Sequence, residues 1–396
     1  CKKNNMSFNE DLRIYLWTLK CFGILSISYN QAKNEVNKTA RDERVARVSL
    51  GSMLLIFCAI VSSSIYNARY FRLDLHTKTG NYYLFMHFCL ACVVLCILGL
   101  YFYMQRVRNT NIVQSILYFN RECLKNRYKV RFNRFYELYI ALAIVCVVTH
   151  VGAFLKTSEL SFLAFICYVT IFPFNFLYLG LLIVFYICIM TIIGATFRCY
   201  NAQLEQLIAL EHEEQQMKIS QLVCDNLKRR HQLLTMCYED INEIYGIAML
   251  FVTAYILFSA PSGLFFLVSV VFENKFLTLY WYLQSAYISL LWSAPWMTVF
   301  IILLSSNGVS KEVNKTAKIL CKIPRHGTGM ERMVDKFLTK NLSQRPVFTA
   351  YGFYSLDKAT LFRLFTAIST YMVILVQFKE IESETKQRTK FNPILA

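Results

Sequence analysis

Apolar residues along the chain gather into blocks separated by polar, cation-rich stretches. Seven blocks stand out, at about 48–66, 82–104, 135–155, 160–197, 244–271, 277–304 and 359–378. Each comes close to or exceeds the roughly 20 residues that a helix needs to cross hydrocarbon. The predicted fold class is all-α, a polytopic membrane protein with seven transmembrane helices. The fourth block is ambiguous. Its 38 residues make a helix of about 57 Å at 1.5 Å per residue, nearly twice the bilayer core. Two short spans there would reverse the topology after residue 198. One long helix, bent at Pro173, keeps the charge asymmetry described below and is the reading adopted. Its outer part is expected to project beyond the membrane or to pack against other spans.

The polar stretches are patterned too. In 198–243, Leu204, Leu207, Ile208, Ile219, Leu222, Val223, Leu227, Leu234, Cys237 and Ile241 recur at three- and four-residue steps, with a break near EHEEQQ at 211–216. That periodicity predicts a helical hairpin extending spans four and five. Its apolar stripe needs a partner. Helices from 310–342 and from neighbouring subunits are the expected ones, and a four-helix cluster within a single subunit is the alternative. The organisation read is an N-terminal segment 1–47, spans one to four over 48–197, the extension 198–243, spans five and six over 244–304, anchor helices in 305–358, the last span, and a tail 379–396.

Charge then orients the chain. Lys and Arg number nine before the first span, eight in 105–134, five in 198–243 and ten in 305–358, 32 in all. The opposite side carries nine, and Arg363 lies inside the last span. Cytoplasmic segments retain positive charge, which predicts a cytoplasmic N-terminus and an extracellular C-terminus, the reverse of a G-protein-coupled receptor. Composition agrees with the class: 56% apolar, 17% charged and only 6 Pro, against about a quarter charged in soluble domains. The net charge of +17 follows from the cytoplasmic bias and calls for no nucleic-acid partner. No signal-peptide pattern appears in the first forty residues, so the first span is expected to act as its own targeting signal.

Candidate chemistry is sparse. Seven of the 14 Cys fall in spans, seven in cytoplasmic segments and none in an outside loop, so no extracellular disulfide is predicted. His87 with Cys89, Cys92 and Cys96 faintly resembles a zinc site, but it lies in mid-membrane where small thiols pack well. No metal, cofactor or catalytic residue is assigned. Sequons at Asn5, Asn37, Asn314 and Asn341 fall on the cytoplasmic side and are expected to be unmodified. Motifs of hydrolases, metalloproteases and nucleotide-binding loops are missing, as are paired carboxylates within any span. The chain reads as a non-enzyme. Glu137 and Arg363 lie near span ends, and His150 in the outer leaflet, a poor set for an ion-coupled transporter.

The last span carries the most specific signal. In STYMVILVQFKE (369–380), Thr370, Tyr371, Ile374, Gln377 and Phe378 share an arc of about 120°, with Met372, Val373, Leu375 and Val376 on the remainder. A lone Gln there is interhelical glue or part of a pore. Several copies around an axis would form rings of Ile374 and Phe378 that close by dewetting, and a ring of Gln377 amides facing a cation. The pattern Thr-Tyr, five apolar residues, Gln-Phe resembles the signature of insect gustatory receptors at every position. FTAYGFYSLDKATLFRLF (348–365) looks like that family's lead-in to the last helix, and the span number and long fourth-to-fifth loop extend the likeness architecturally.

That resemblance implies a tetrameric, ligand-gated, non-selective cation channel in the plasma membrane of a sensory dendrite. The expected partners are a small tastant, membrane lipid, permeating cations and identical or related subunits. Ile374, Gln377 and Phe378 become gate and constriction, with Phe378 favouring the taste branch over the odorant one. The ligand would lie within each subunit, near Tyr83, His87, His150, Phe154, Tyr168, Trp281 and Gln284. Aromatic rings with a few polar groups suit a sugar or a flat bitter compound, the latter slightly favoured. Each of these residues also suits ordinary helix packing or the interfacial aromatic belt. An odorant-receptor-like subunit, a G-protein-coupled receptor and a transporter are the alternatives.

Overall fold

The computed structural model describes residues 16–21, 23–30, 35–37, 39–66, 78–125, 162–209, 216–273, 308–321, 332, 334–335, 337–339 and 347–391. The expected third and sixth spans, 135–155 and 277–304, lie outside these residues.

Helix α1 (Ala40–Tyr66) begins at a capping box. The Asp42 carboxylate accepts the Thr39 N–H at 2.8 Å and the Thr39 hydroxyl at 2.7 Å, while the Asp42 N–H returns a bond to the Thr39 hydroxyl at 3.3 Å. Two orphan donors are thereby satisfied. The same carboxylate accepts from Lys20 and, at 2.6 Å, from the Ser28 hydroxyl. Asp42 thus ties the N-terminal segment onto α1. That segment contains a helical turn at 16–21 and an unanticipated antiparallel pair, β1 (Ser28–Asn30) and β2 (Glu35–Asn37), in the register Ser28 to Asn37.

Helices α2 (Lys78–Met104) and α3 (Arg106–Lys125) are separated by Gln105, across which the axis turns by 69°. The turn falls where the apolar block gives way to Arg106, whose guanidinium donates to the Tyr103 carbonyl at 2.9 Å and stacks 4.5 Å from that ring's centre. The expected long fourth span lies in one unbroken helix, α4 (Phe162–Ala209), 48 residues long. It is apolar all round, and from Tyr178 to Tyr200 nearly every side chain is buried. A helix without a polar face is either a core helix or a membrane span, and here α1, α2, α3 and the helix that follows α4 pack against it.

Helix α5 (Gln216–Thr235) passes through a π-helical turn, Met236–Ile241, directly into α6 (Asn242–Glu273). A shorter helix α7 covers 308–320, and α8 (Lys358–Phe391) ends the described chain. Among the described residues three helical stretches are long and apolar enough to cross a membrane: Tyr178–Ile208, Gln221–Phe258 and Lys358–Glu382.

Among the described residues there are two cores. The large one joins α2, α3, α4, α6 and the N-terminal residues Leu16, Leu19, Ile24, Leu25 and Ile27. The small one joins Leu204, Val223 and Leu227 to Ile319, Leu320 and Val334, flanked by Phe337 and Leu338. Each buried Leu or Ile there is worth roughly 1.5–3 kcal/mol over exposure. The stripe of 198–243 is therefore covered in good part by the chain's own 308–339 region, while Leu222 stays 53% exposed. Beside the small core, Arg230 is buried and donates to Asn226 at 3.0 Å, to Asn201 at 2.6 Å and to Thr316. Asn201 in turn donates to the Glu312 carbonyl at 3.0 Å. A buried guanidinium requires such a full set of acceptors.

Candidate functional site

Helix α8 carries the candidate pore residues, and its lead-in explains where the helix starts. Asp357 is the N-cap: its Oδ1 accepts the Thr360 N–H at 2.9 Å and its Oδ2 accepts the Ser355 hydroxyl at 2.7 Å. The Thr360 hydroxyl donates to the Ser355 carbonyl at 2.6 Å. Burial of Asp357 opposes ionisation, but the hydrogen bonds from Ser355 and Thr360 outweigh it and hold the carboxyl below its usual range.

Before the cap, residues 349–355 form a tight loop closed by a bridge between Thr349 and Ser355. Tyr351 takes φ 51° and Gly352 φ 79°, left-handed conformations that glycine adopts freely and tyrosine does not. The strained loop is clamped onto the start of α6. Asn242 Oδ1 accepts the Thr349 N–H at 2.7 Å, and its amide donates to the Thr349 hydroxyl at 3.2 Å. A Cβ on Gly246 would stand 2.8 Å from the Tyr351 nitrogen and 3.0 Å from the Thr349 carbonyl oxygen. Backbone meets backbone here, and only glycine allows it. Phe348, Ala350 and Leu356 fasten the loop into the main core.

Tyr245, next to Gly246, is the hub of this junction. Its ring lies 5.9–6.0 Å from those of Phe102, Phe185 and Tyr186, and its hydroxyl donates to Asn109, whose amide reaches the Ile24 carbonyl at 3.2 Å. Arg108 of α3 bridges Glu243 at 2.7 Å and Asp240 at 3.3 Å. The N-terminal segment, α2, α3, α4, α6 and the root of α8 thus converge within one packed knot. Sequence reasoning missed the knot, although YG at 245–246 and 351–352 was its available signal.

Beyond the cap, α8 leans on α6. Its inner row runs through Leu361, Leu364, Ile368, Met372, Leu375 and Val376, all buried or half-buried. The signature row faces the other way: Tyr371 is 57% and Phe378 56% exposed, and Thr370, Ile374 and Gln377 are exposed beside them. Exposed hydroxyls are satisfied within the helix, Thr370 by the Thr366 carbonyl at 2.9 Å and Ser369 by that of Phe365 at 3.0 Å. Such back-bonding lets a polar face persist without external partners. Of the aliphatic positions opposite, only Val373 is exposed.

Of the expected ligand residues, Tyr83 and His87 stand on α2 and Tyr168 on α4, but their side chains lie outside the described residues. His150, Phe154, Trp281 and Gln284 lie outside them altogether. Cys89, Cys92 and Cys96 are free thiols.

A family model described as 7tm Chemosensory receptor matches residues 12–382. "Gustatory and pheromone receptor 39a, isoform D" of Drosophila melanogaster is 37% identical over 382 residues, 96% of this chain and 98% of that protein. Isoform A of the same receptor is 38% identical over 386 residues, covering 96% and 99%. In fold, the chain is similar to the insect olfactory receptor OR5 from Machilis hrabei, with a TM-score of 0.59 at 10% identity, covering 93% of this chain and 99% of that one. Apolar spans, the exposed signature row and a match running over nearly the whole length lead to one conclusion: the chain belongs to the 7tm chemosensory receptor family.

Proposed function

We propose that the protein is a ligand-gated, non-selective cation channel, opened by a small organic tastant and built from four subunits around a pore lined by α8. One observation carries the reading: the row of Tyr371, Ile374, Gln377 and Phe378 faces away from the subunit that bears it. Lipid alone would suit the aliphatic residues but gains nothing from Gln377. An amide turned outward at the end of a membrane helix needs water or another subunit, and a central axis supplies both. Phe378 and Ile374 are the gate, closing by dewetting, and Gln377 offers its amide oxygens to the cation. The knot around Tyr245 ties the root of α8 to α4 and α6 and is the mechanical route from ligand to gate. Cytoplasmic 198–243 and 305–358, with the N-terminus inside and the C-terminus outside, follow from the charge bias, and the plasma membrane of a sensory dendrite is the expected location.

The ligand is a bitter or pheromone-type compound rather than a sugar. The relatives that match nearly the whole chain are named as gustatory and pheromone receptors, whereas one named for sugar taste matches only 161 residues at 26% identity. Expression in a heterologous cell with whole-cell recording tests the function. Currents evoked by bitter or apolar contact compounds, with inward and outward cation flux and no dependence on G-protein signalling, are expected. Ligand responses that vanish when G-protein signalling is blocked would refute the channel.

A further inference from the structure

We propose that the first two turns of α1 bind the headgroup of an anionic phospholipid. Arg41, Arg44 and Arg47 follow at three-residue steps and all three are exposed. At 100° per residue they fall within an arc of about 120°. Val48 and Leu55 lie inside the same arc and are 71% and 73% exposed. These two open the first apolar block, so this is the face that meets lipid. The arginines continue it beyond the hydrocarbon boundary. They cover about 9 Å along the axis, close to the depth of one headgroup layer.

The opposite face of the same turns is occupied. Asp42 is buried beneath Lys20, Ser28 and Thr39, and Ala46 is buried beside it. The nearest fully buried acid is therefore already matched to a different cation and turned inward. None of the three arginines makes an ion pair among the described residues. A guanidinium presents paired N–H donors that match phosphate oxygens, and the leaflet facing the cation-rich side is the anionic one. Trp17 adds an interfacial mark. It is exposed on the 16–21 turn, whose Cys21 carbonyl accepts the Ser49 hydroxyl at 3.0 Å. Gly23, at φ 71°, lets that segment lie close against Ser49. The indole is thus held near the level at which the apolar block begins, where Trp is enriched.

The full-length protein, reconstituted in nanodiscs of equal phosphatidylcholine and phosphatidylserine, tests this with spin-labelled versions of either lipid. The motionally restricted fraction should favour phosphatidylserine. Each arginine at an anionic surface is worth about fivefold in affinity, so Arg41→Gln, Arg44→Gln and Arg47→Gln together should cut the preference by at least about tenfold. High salt should weaken it as well. The same three positions changed to Lys should retain part of it, and Lys311→Gln with Lys318→Gln should leave it unchanged. Single Arg→Gln variants, each expected to lower the preference about fivefold, replace the triple one if it elutes as aggregate. No preference in the wild type, or an undiminished one in the Arg→Gln variants, overturns the proposal. So does loss of bound phosphatidylserine to inorganic phosphate, which would identify a soluble anion instead.

Discussion

At the scale of single residues, Phe378 and Gln377 make opposite predictions. Shrinking Phe378 to Ala widens the proposed ring and lets water persist there, so current without ligand is expected in whole-cell recordings. Gln377→Glu would place several carboxylates around the axis, and altered divalent permeation or block is the expected result. Surface-expressed variants with wild-type basal current and selectivity would remove α8's outer row from the pore. Gly246 tests the clamp on α8's root. Its Cβ would meet the Tyr351 nitrogen at 2.8 Å, whereas one on Gly51 would meet nothing within 4 Å. Gly246→Ala is expected to cost about 1–3 kcal/mol and to blunt ligand-evoked current, while Gly51→Ala leaves the thermal midpoint in detergent unchanged or raised.

Asp42 sets a pH dependence at the same scale. Burial opposes its ionisation, yet the bonds from Lys20, Ser28 and Thr39 outweigh that and hold its pKa at about 2, below the ordinary 3.8. A carboxyl with a depressed folded-state pKa contributes stability above its unfolded pKa and loses it as pH falls towards the folded value. About 2 kcal/mol should disappear between roughly pH 4 and pH 2. Comparing the wild type with Asp42→Asn should show the two stability curves converging across that window. Parallel curves would mean that Asp42 is not the group titrating.

At the scale of elements, the stripe on α5 divides into two classes that periodicity alone treats as one. Val223 and Leu227 are buried against α7 and Val334, whereas Leu222 faces out. Val223→Lys should unfold the unit that α5 forms with α7, because an unpaired charge in an apolar seam loses hydration without gaining a partner. Leu222→Lys should leave the subunit folded and reduce tetramers on native gels if this exposed position meets a neighbouring subunit. Intact tetramers with Leu222→Lys would confine the stripe's role to the subunit's own core. For α8, the cap at Asp357 is not among the expectations from sequence, and the helix runs on to Phe391, past the end of the apolar block at 378. Hydropathy ends where charges begin, and a helix need not.

At the scale of the whole molecule, α4 is the organising element, and its uniform apolarity matches its central position. Orientation is tested by epitope accessibility. An epitope at the C-terminus should stain on intact cells and one at the N-terminus only after permeabilisation. Glycosylation at Asn5 or Asn37 would reverse the topology. Thr316, the acceptor-motif threonine after Asn314, is buried and bonded to Asn201 and Arg230, so that site is tied into the folded unit of α4, α5 and α7.

Runs of neighbouring residues already specify the features that depend on them alone. Membrane class and the helical blocks are local sums of hydropathy. The Thr-Tyr to Gln-Phe signature was equally legible, being a fixed spacing on one helix. The caps at Thr39 and Asp357, local as they are, emerged only with the structure. Tertiary structure alone decided which side of each helix is spent on the subunit's own core. Both rows of α8 are apolar enough to be buried, and only the packing against α6 left Tyr371, Gln377 and Phe378 outside. The acceptors of Arg230 come from Asn201, Asn226 and Thr316 on three helices, and Tyr245 finds Asn109 across 136 positions of chain. Such contacts have no local signature, because the free energy that selects them lies in excluding water between surfaces far apart in sequence.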